Sequence, residues 1–174
     1  MLFSKALLLT CITSSYASST LRPIFASIDD IQTALRSGTT CTTITNAFLR
    51  RINTFNDKLR AVIKINPRII QDASAVDYSK AQGFKPLSCV PVLVKDNINT
   101  AGILTTVGTR TLVSNVPKSN AYIIERLVEN GAIIIGKANM AEYADCGVMS
   151  RSSTGVLVRN PYDRTKTTSG SSGK

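Results

Sequence analysis

The 174-residue sequence contains no histidine. This absence excludes Ser-His-Asp and Cys-His catalytic arrangements, histidine-ligated zinc or haem, and an imidazole acid or base working near neutral pH. Any catalysis must therefore use lysine, serine, threonine, cysteine, tyrosine or carboxylate side chains. No cluster of residues has the spacing of a metal site, and we predict neither a metal nor a cofactor.

Cysteines are few and far apart. Cys11 lies in an apolar N-terminal stretch, which leaves Cys41, Cys89 and Cys146 in the rest of the chain. Their wide spacing predicts neither a disulfide framework nor a CxxC metal site. Because the number is odd, we expect at least one free thiol.

Acidic residues are also scarce, with 11 Asp and Glu against 21 Lys and Arg, a formal charge of +10. The hydrophobic share of 43% and the charged share of 18% are typical of a globular chain. Since the basic residues are scattered, we expect no nucleic-acid partner. The alternative is a basic, non-catalytic module that binds anionic polymers, which steeply salt-dependent binding would favour.

The N-terminus has the pattern of a secretory signal. A single basic residue, Lys5, precedes the apolar stretch 6–13, and residues 15–17 (SYA) fit a small-x-small cleavage site. We predict a signal peptide over residues 1–17, cleavage after Ala17, and a protein of the secretory pathway. The stretch is too short to span a bilayer, so we expect no stable membrane insertion. The alternatives are an uncleaved anchor or an amphipathic first helix.

Beyond residue 18 the pattern predicts an α/β fold. Ser27 is a candidate N-cap of a short helix that Gly38 can close, and a second helix is predicted to begin near Thr40. The remaining elements predicted from the pattern are a strand over 59–65, a helix from 67 to about 82, a strand over 90–94, a helix over 122–130, a strand over 132–135 and a short helix over 140–145 capped by Asn139. The strands over 90–94 and 132–135 are almost entirely apolar, which indicates burial on both faces.

Two features could carry chemistry. Lys95 directly follows the apolar strand over 90–94, where partial desolvation would favour a neutral amine that could act as a base. Residues 169–173 (SGSSG) form a cluster of small residues whose hydroxyls could relay protons. Read alone, each has a plainer interpretation, a solvent-exposed strand-end lysine and a flexible terminal segment.

Together these features belong to three motifs that resemble the amidase signature family. Residues 91–97 (PVLVKDN) resemble its P-[VIL]-x-[VIL]-K-D-N segment, and residues 131–143 (GAIIIGKANMAEY) its G-A-x-[VIL]-x-G-K-x-N-[ML]-x-E-[FY] stretch. Residues 159–163 (RNPYD) followed by 169–173 resemble its R-N-P-[WY]-[DN] and G-G-S-S-G-G motifs. The order and separations also match, so the resemblance implies the N-terminal part of that domain over residues 18–174, with a mixed sheet covered by helices.

The resemblance implies hydrolysis of a carbon-nitrogen bond in a small amide by a Ser, cis-Ser, Lys mechanism. It assigns Lys95 as the base and Ser171 as the bridging serine, which would follow a cis peptide bond. Ser172 would help to position Lys95 or the substrate carbonyl. The amidase subunit of a glutamine amidotransferase shares these motifs and is the alternative enzymatic interpretation.

The sequence also departs from the family pattern. The family's nucleophilic serine and the backbone amides expected to form its oxyanion hole lie in a later motif than the residues matched here. Ser169 and Lys174 replace the first and last glycines of the small-residue cluster. From the sequence we therefore expect these 174 residues to be inactive by themselves, with an unpaired sheet edge and a tendency to aggregate. Substrate identity and oligomeric state are not specified by these motifs.

Overall fold

The computed structural model describes residues 21–79, 83–145, 151–154 and 157–171, so the predicted signal peptide lies outside the described residues. Seven helices and strands order this part of the chain: α1 (Ile28–Arg36), α2 (Cys41–Leu59), β1 (Val62–Ile65), α3 (Ile69–Tyr78), β2 (Pro91–Lys95), α4 (Tyr122–Glu129) and β3 (Ile133–Ala138). Short 3₁₀ turns occupy Arg110–Leu112 and Glu142–Ala144. No helix in these ranges combines the length and apolarity needed to cross a membrane.

Side-chain caps define the starts of the first two helices. Ser27 and Asp30 form a reciprocal capping box at the start of α1, and Gly38 follows its end with φ +101°. The Thr40 side chain accepts a hydrogen bond from the backbone of Thr43 and caps α2. Both predicted helix starts are confirmed.

The three strands form one mixed sheet in the order β1-β3-β2. β3 lies in the centre, antiparallel to β1 and parallel to β2. Gly136 permits the close approach of β1, because a Cβ at this position would lie 2.3 Å from the Lys64 carbonyl oxygen. The α/β architecture with a mixed sheet is therefore as predicted.

Helices cover both faces of β3. Ile133 and Ile135 pack into a cluster with residues of α1, α2 and α3, whereas Ile134 packs with Val94 and with Ile124 of α4. This alternation follows the two-residue period of a strand and buries β3 on both sides. β2 differs from the prediction, because Leu93 is 41% exposed and only one face of that strand is covered throughout.

Some predicted boundaries also differ. α2 continues through Leu59, so β1 begins only at Val62, and α3 ends at Tyr78 rather than near 82. The predicted helix over 140–145 is wrong. Asn139 caps no helix; its side-chain nitrogen donates to the Arg60 carbonyl at 2.9 Å, and its Oδ1 accepts from the neighbouring Met140 amide at 2.8 Å. A left-handed Tyr143 (φ +50°) also limits this segment to one 3₁₀ turn.

A disulfide joins Cys41, the first residue of α2, to Cys89, which lies just before β2. The expectation that the widely spaced cysteines make no disulfide framework is therefore corrected for this pair. Both residues are fully buried in the cluster beneath β3. Folding, rather than sequence spacing, brings the two sulfur atoms together.

Because the disulfide spans 48 residues, it restricts the unfolded chain and should stabilise the fold by about 2–4 kcal/mol. Urea unfolding with and without reductant measures this difference. The C41A/C89A variant should unfold near the reduced wild-type midpoint and show no response to reductant. An unchanged wild-type midpoint on reduction would contradict the prediction.

Candidate functional site

Lys95 and Ser171 meet although 76 residues separate them in the chain. Lys95 is the last residue of β2, and its Nζ donates a hydrogen bond to Ser171 Oγ at 3.0 Å. Both residues are half-buried, so the pair lies at the boundary between the fold and solvent. The contact joins the two features that were predicted from the sequence to carry chemistry.

The backbone around Ser171 is held in a defined conformation. The Gly170–Ser171 peptide bond is cis, the geometry that the resemblance implies for the bridging serine. The Ser171 carbonyl accepts a hydrogen bond from the amide of the buried Ala141 at 3.0 Å. Ser171 is therefore attached to the segment that follows β3. Ser172, the third predicted site residue, lies outside the described residues.

The loop after β2 is organised by Asp96. This carboxylate is fully buried, and its Oδ2 accepts from both the amide and the hydroxyl of Thr106 and from the Gly108 amide. Its Oδ1 has no hydrogen-bond partner in the described part of the chain. Asp96 directly follows Lys95, so these hydrogen bonds attach the far end of the loop to the end of β2.

A second lysine lies inside the fold. Lys137 of β3 is 0% exposed, and its Nζ donates to Thr105 Oγ1 at 3.0 Å, to Thr100 Oγ1 at 3.4 Å and to the Ile98 carbonyl. Burial lowers the pKa of Lys137 to about 8, and the negative charge of Asp96 acts in the opposite direction. Lys137 therefore remains mostly protonated at neutral pH.

Glu142 binds a further segment, residues 151–153, next to the site. Its Oε2 accepts from the Ser153 amide at 2.8 Å, while its own amide donates to the Arg151 carbonyl. Hydrogen bonds from the side chains of Thr109 and Ser153 hold the pKa of Glu142 below its usual value. The segment around residues 141–143 therefore contacts both neighbouring loops and Ser171.

This arrangement can move protons without histidine or metal. A neutral lysine hydrogen-bonded to a serine hydroxyl can take a proton through that hydroxyl from a second, attacking hydroxyl. Among the described residues no group of three His, Cys, Asp or Glu side chains is placed to hold a metal ion.

The supporting residues Asp96, Lys137 and Glu142 were not predicted from the sequence. All three occur in the first two motifs, residues 91–97 and 131–143, in which only Lys95 was given a chemical role. A lysine directly after the apolar run 132–135 and Gly136 is a signal for a buried cation, since such strands lie in the interior.

Comparisons with known proteins identify the family. The family model described as Amidase matches residues 43–173, so the chain belongs to the amidase family. It is 39% identical to a glutamyl-tRNA(Gln) amidotransferase subunit of Chloroflexus aurantiacus over 146 residues, which are 82% of this chain and 30% of the relative.

Solved structures share the fold. A native peptide amidase from Stenotrophomonas maltophilia superposes with a TM-score of 0.81 at 34% identity, over 86% of this chain and 32% of that one. The corresponding glutamyl-tRNA(Gln) amidotransferase subunit of Thermotoga maritima gives 0.64 at 26% identity, over 76% and 27%. The chain thus spans about a third of the length of the relatives it matches.

The buried Lys137 should make stability depend on pH. Between about 8 and the ordinary lysine value of 10.5, the folded protein has released the proton that the unfolded chain still holds, so the free energy of unfolding should rise with pH. Urea unfolding at pH 7, 8.5 and 10 measures this rise. The K137M/D96N variant, which lacks both buried charges, should show a flatter profile, and parallel profiles would contradict the assignment.

Proposed function

We propose that this chain supplies the lysine and bridging-serine half of an amidase active site, which hydrolyses the carbon-nitrogen bond of a small amide. The observation that carries the proposal is the 3.0 Å hydrogen bond from Lys95 Nζ to Ser171 Oγ, directly after the cis Gly170–Ser171 bond. Lys95 is the base and Ser171 the relay. The family membership and the quoted motifs support these roles.

In the proposed reaction, Ser171 passes its hydroxyl proton to neutral Lys95 and takes one from the attacking serine hydroxyl. The attacking oxygen bonds to the amide carbon, and the proton held by Lys95 returns through Ser171 to the leaving nitrogen as the carbon-nitrogen bond breaks. Water then hydrolyses the acyl-enzyme ester by the same relay. The attacking serine belongs to the later glycine-rich motif of the family, outside the matched residues.

The experiment joins this chain to the remainder of the Stenotrophomonas maltophilia peptide amidase, directly after the serine that aligns with Ser171. Hydrolysis of a C-terminal peptide amide and of glutamine is measured for the parent chimera, K95A and S171A. Each substitution should lower kcat/KM by about 10³-fold or more, because the attacking hydroxyl loses its route for proton transfer. The 174-residue chain is assayed in parallel.

K118A is the matched control, since Lys118 is an exposed lysine outside the three motifs, and it should retain parent activity. Circular dichroism and thermal unfolding establish that the variants are folded. A folded but inactive parent chimera, or a K95A variant with parent activity, would contradict the proposal.

The second candidate is the amidase subunit of a glutamine amidotransferase. The specific observation in its favour is the 39% identity to the Chloroflexus aurantiacus protein, whose name states an amidotransferase role. Assaying the protein isolated from its own cells on the same two substrates separates the candidates, because the amidotransferase subunit should prefer glutamine to the peptide amide. The basic module for anionic polymers remains a prediction from the charge of +10 alone.

We also propose that the protein matures in the secretory pathway, with a signal peptide over residues 1–17. The Cys41–Cys89 disulfide supports this placement, because disulfides form and persist in oxidising compartments. N-terminal sequencing of the protein from its own cells should find Ser18 as the first residue. A retained Met1 with Cys41 and Cys89 both reduced would overturn the proposal.

A further inference from the structure

Two buried charges lie next to the site, and the proposed reaction uses neither of them. Asp96 and Lys137 are both 0% exposed, although a charged side chain in the interior carries a large desolvation cost. In the described part of the chain they make no direct salt bridge with each other. Their positions therefore need another explanation.

An irregularity in the sheet places Lys137 on the same side as Asp96. By strict alternation Lys137 would share the face of Ile133 and Ile135. The register between β2 and β3 shifts after Val92, so that Lys137 instead lies opposite Val94. It therefore reaches the loop after β2 on the side covered by α4.

The two charges hold consecutive threonines of this loop. Lys137 donates to Thr105 Oγ1, whereas Asp96 accepts from the amide and hydroxyl of Thr106. Lys137 also donates to the Ile98 carbonyl and to Thr100 Oγ1, near the start of the loop. The loop is thus fixed at both ends by side chains from two neighbouring strand ends.

The loop needs this support because its tip is conformationally unfavourable. Val107 is β-branched and has φ +56°, a region that such residues rarely adopt. At Gly108, a Cβ would lie 3.2 Å from the Met140 carbonyl oxygen and from Glu142 Cα, so the tip packs closely against the segment after β3. Contacts elsewhere must keep the tip in place.

Hydrogen bonds connect the tip to both members of the site. The Val107 carbonyl accepts from the Tyr143 amide at 3.0 Å, and two residues earlier the Ala141 amide donates to the Ser171 carbonyl. At the start of the loop, the Asp96 amide donates to the Ala138 carbonyl, which attaches the residue directly after Lys95 to the end of β3. A continuous set of contacts therefore runs from the buried charges to Ser171.

We propose that Asp96 and Lys137 are positioning residues, which hold residues 96–108 and thereby set Ser171 against Lys95. The inference rests on the proposed function for its catalytic consequence, but the positioning itself can be measured without activity.

Native-state hydrogen exchange of the full chain tests the proposal. In K137M, the amides of Thr106, Gly108, Ala141 and Tyr143 should exchange at least tenfold faster relative to the amides in the middle of α2, because only the loop and the segment attached to it are released. K118M, which removes an exposed lysine, is the matched control and should leave all these rates unchanged. If K137M does not fold, K137M/D96N serves the same comparison, since it leaves no uncompensated buried charge.

Equal acceleration of the loop and α2 amides would show a purely structural role and overturn the proposal. Acceleration confined to Thr106 and Gly108 would overturn the connection to Ser171. In the chimera described above, K137M should lower kcat about tenfold or more with KM within twofold of the parent, and a change in KM alone would also count against positioning. If the folded parent chimera is inactive, the proposed function fails, and the exchange rates still decide the positioning.

Discussion

The parallel pairing of β2 with β3 is the constraint on which the rest of the site depends. Carboxyl ends of adjacent parallel strands meet at one edge of a sheet, which is where α/β proteins assemble their binding groups. Here Lys95 pairs with Ala138, so the lysine of one motif and the residues that follow β3 in another become neighbours. Ser171 joins this edge through the Ala141 amide. Without this pairing, Lys95 and Ser171 would not be held within hydrogen-bonding distance of each other.

Charge placement distinguishes this edge from the surface. The exposed pairs Arg126–Glu129 and Lys166–Asp163 lie within single turns of chain, and such pairs contribute about 0–1 kcal/mol each. For Lys137 and Asp96 the balance is different, because a charge taken out of water is costly unless hydrogen bonds compensate it, and both side chains bond to the loop after β2. The chain has a net charge of +10, but its scattered surface charges therefore contribute less to the stability of this edge than the buried Asp96 carboxylate does.

Local signals in the sequence predicted the elements they control. Ser27, Thr40 and Gly38 fix helix ends through contacts within a few residues, and the apolar runs before Lys95 and Gly136 identify the strands β2 and β3. The predictions are wrong where a residue in a local pattern bonds to a residue that is distant in the sequence. Asn139 resembles an N-cap but its amide bonds to the Arg60 carbonyl, and Cys41 reaches Cys89 only after α2 has packed under the sheet. The register shift that places Lys137 on the face of Val94 has no periodic signature in the sequence.

Lys95 and Ser171 were found because they belong to quoted motifs, not because any spacing rule joins positions 76 residues apart.

The contacts that relate Lys95 to Ser171 come from residues between β2 and Ser171 itself. The path runs through Asp96, the loop tip at Val107 and the Ala141 amide, all inside the range 43–173 that the amidase family model matches. Lys95 and Ser171 are therefore held together by contacts within this part of the chain. The groove of about 750 Å³ beside Leu93 and Pro91 is lined by none of the residues on this path and contributes nothing to it. It follows that the 3.0 Å hydrogen bond between Lys95 and Ser171 is set by contacts inside the range that the amidase family model matches.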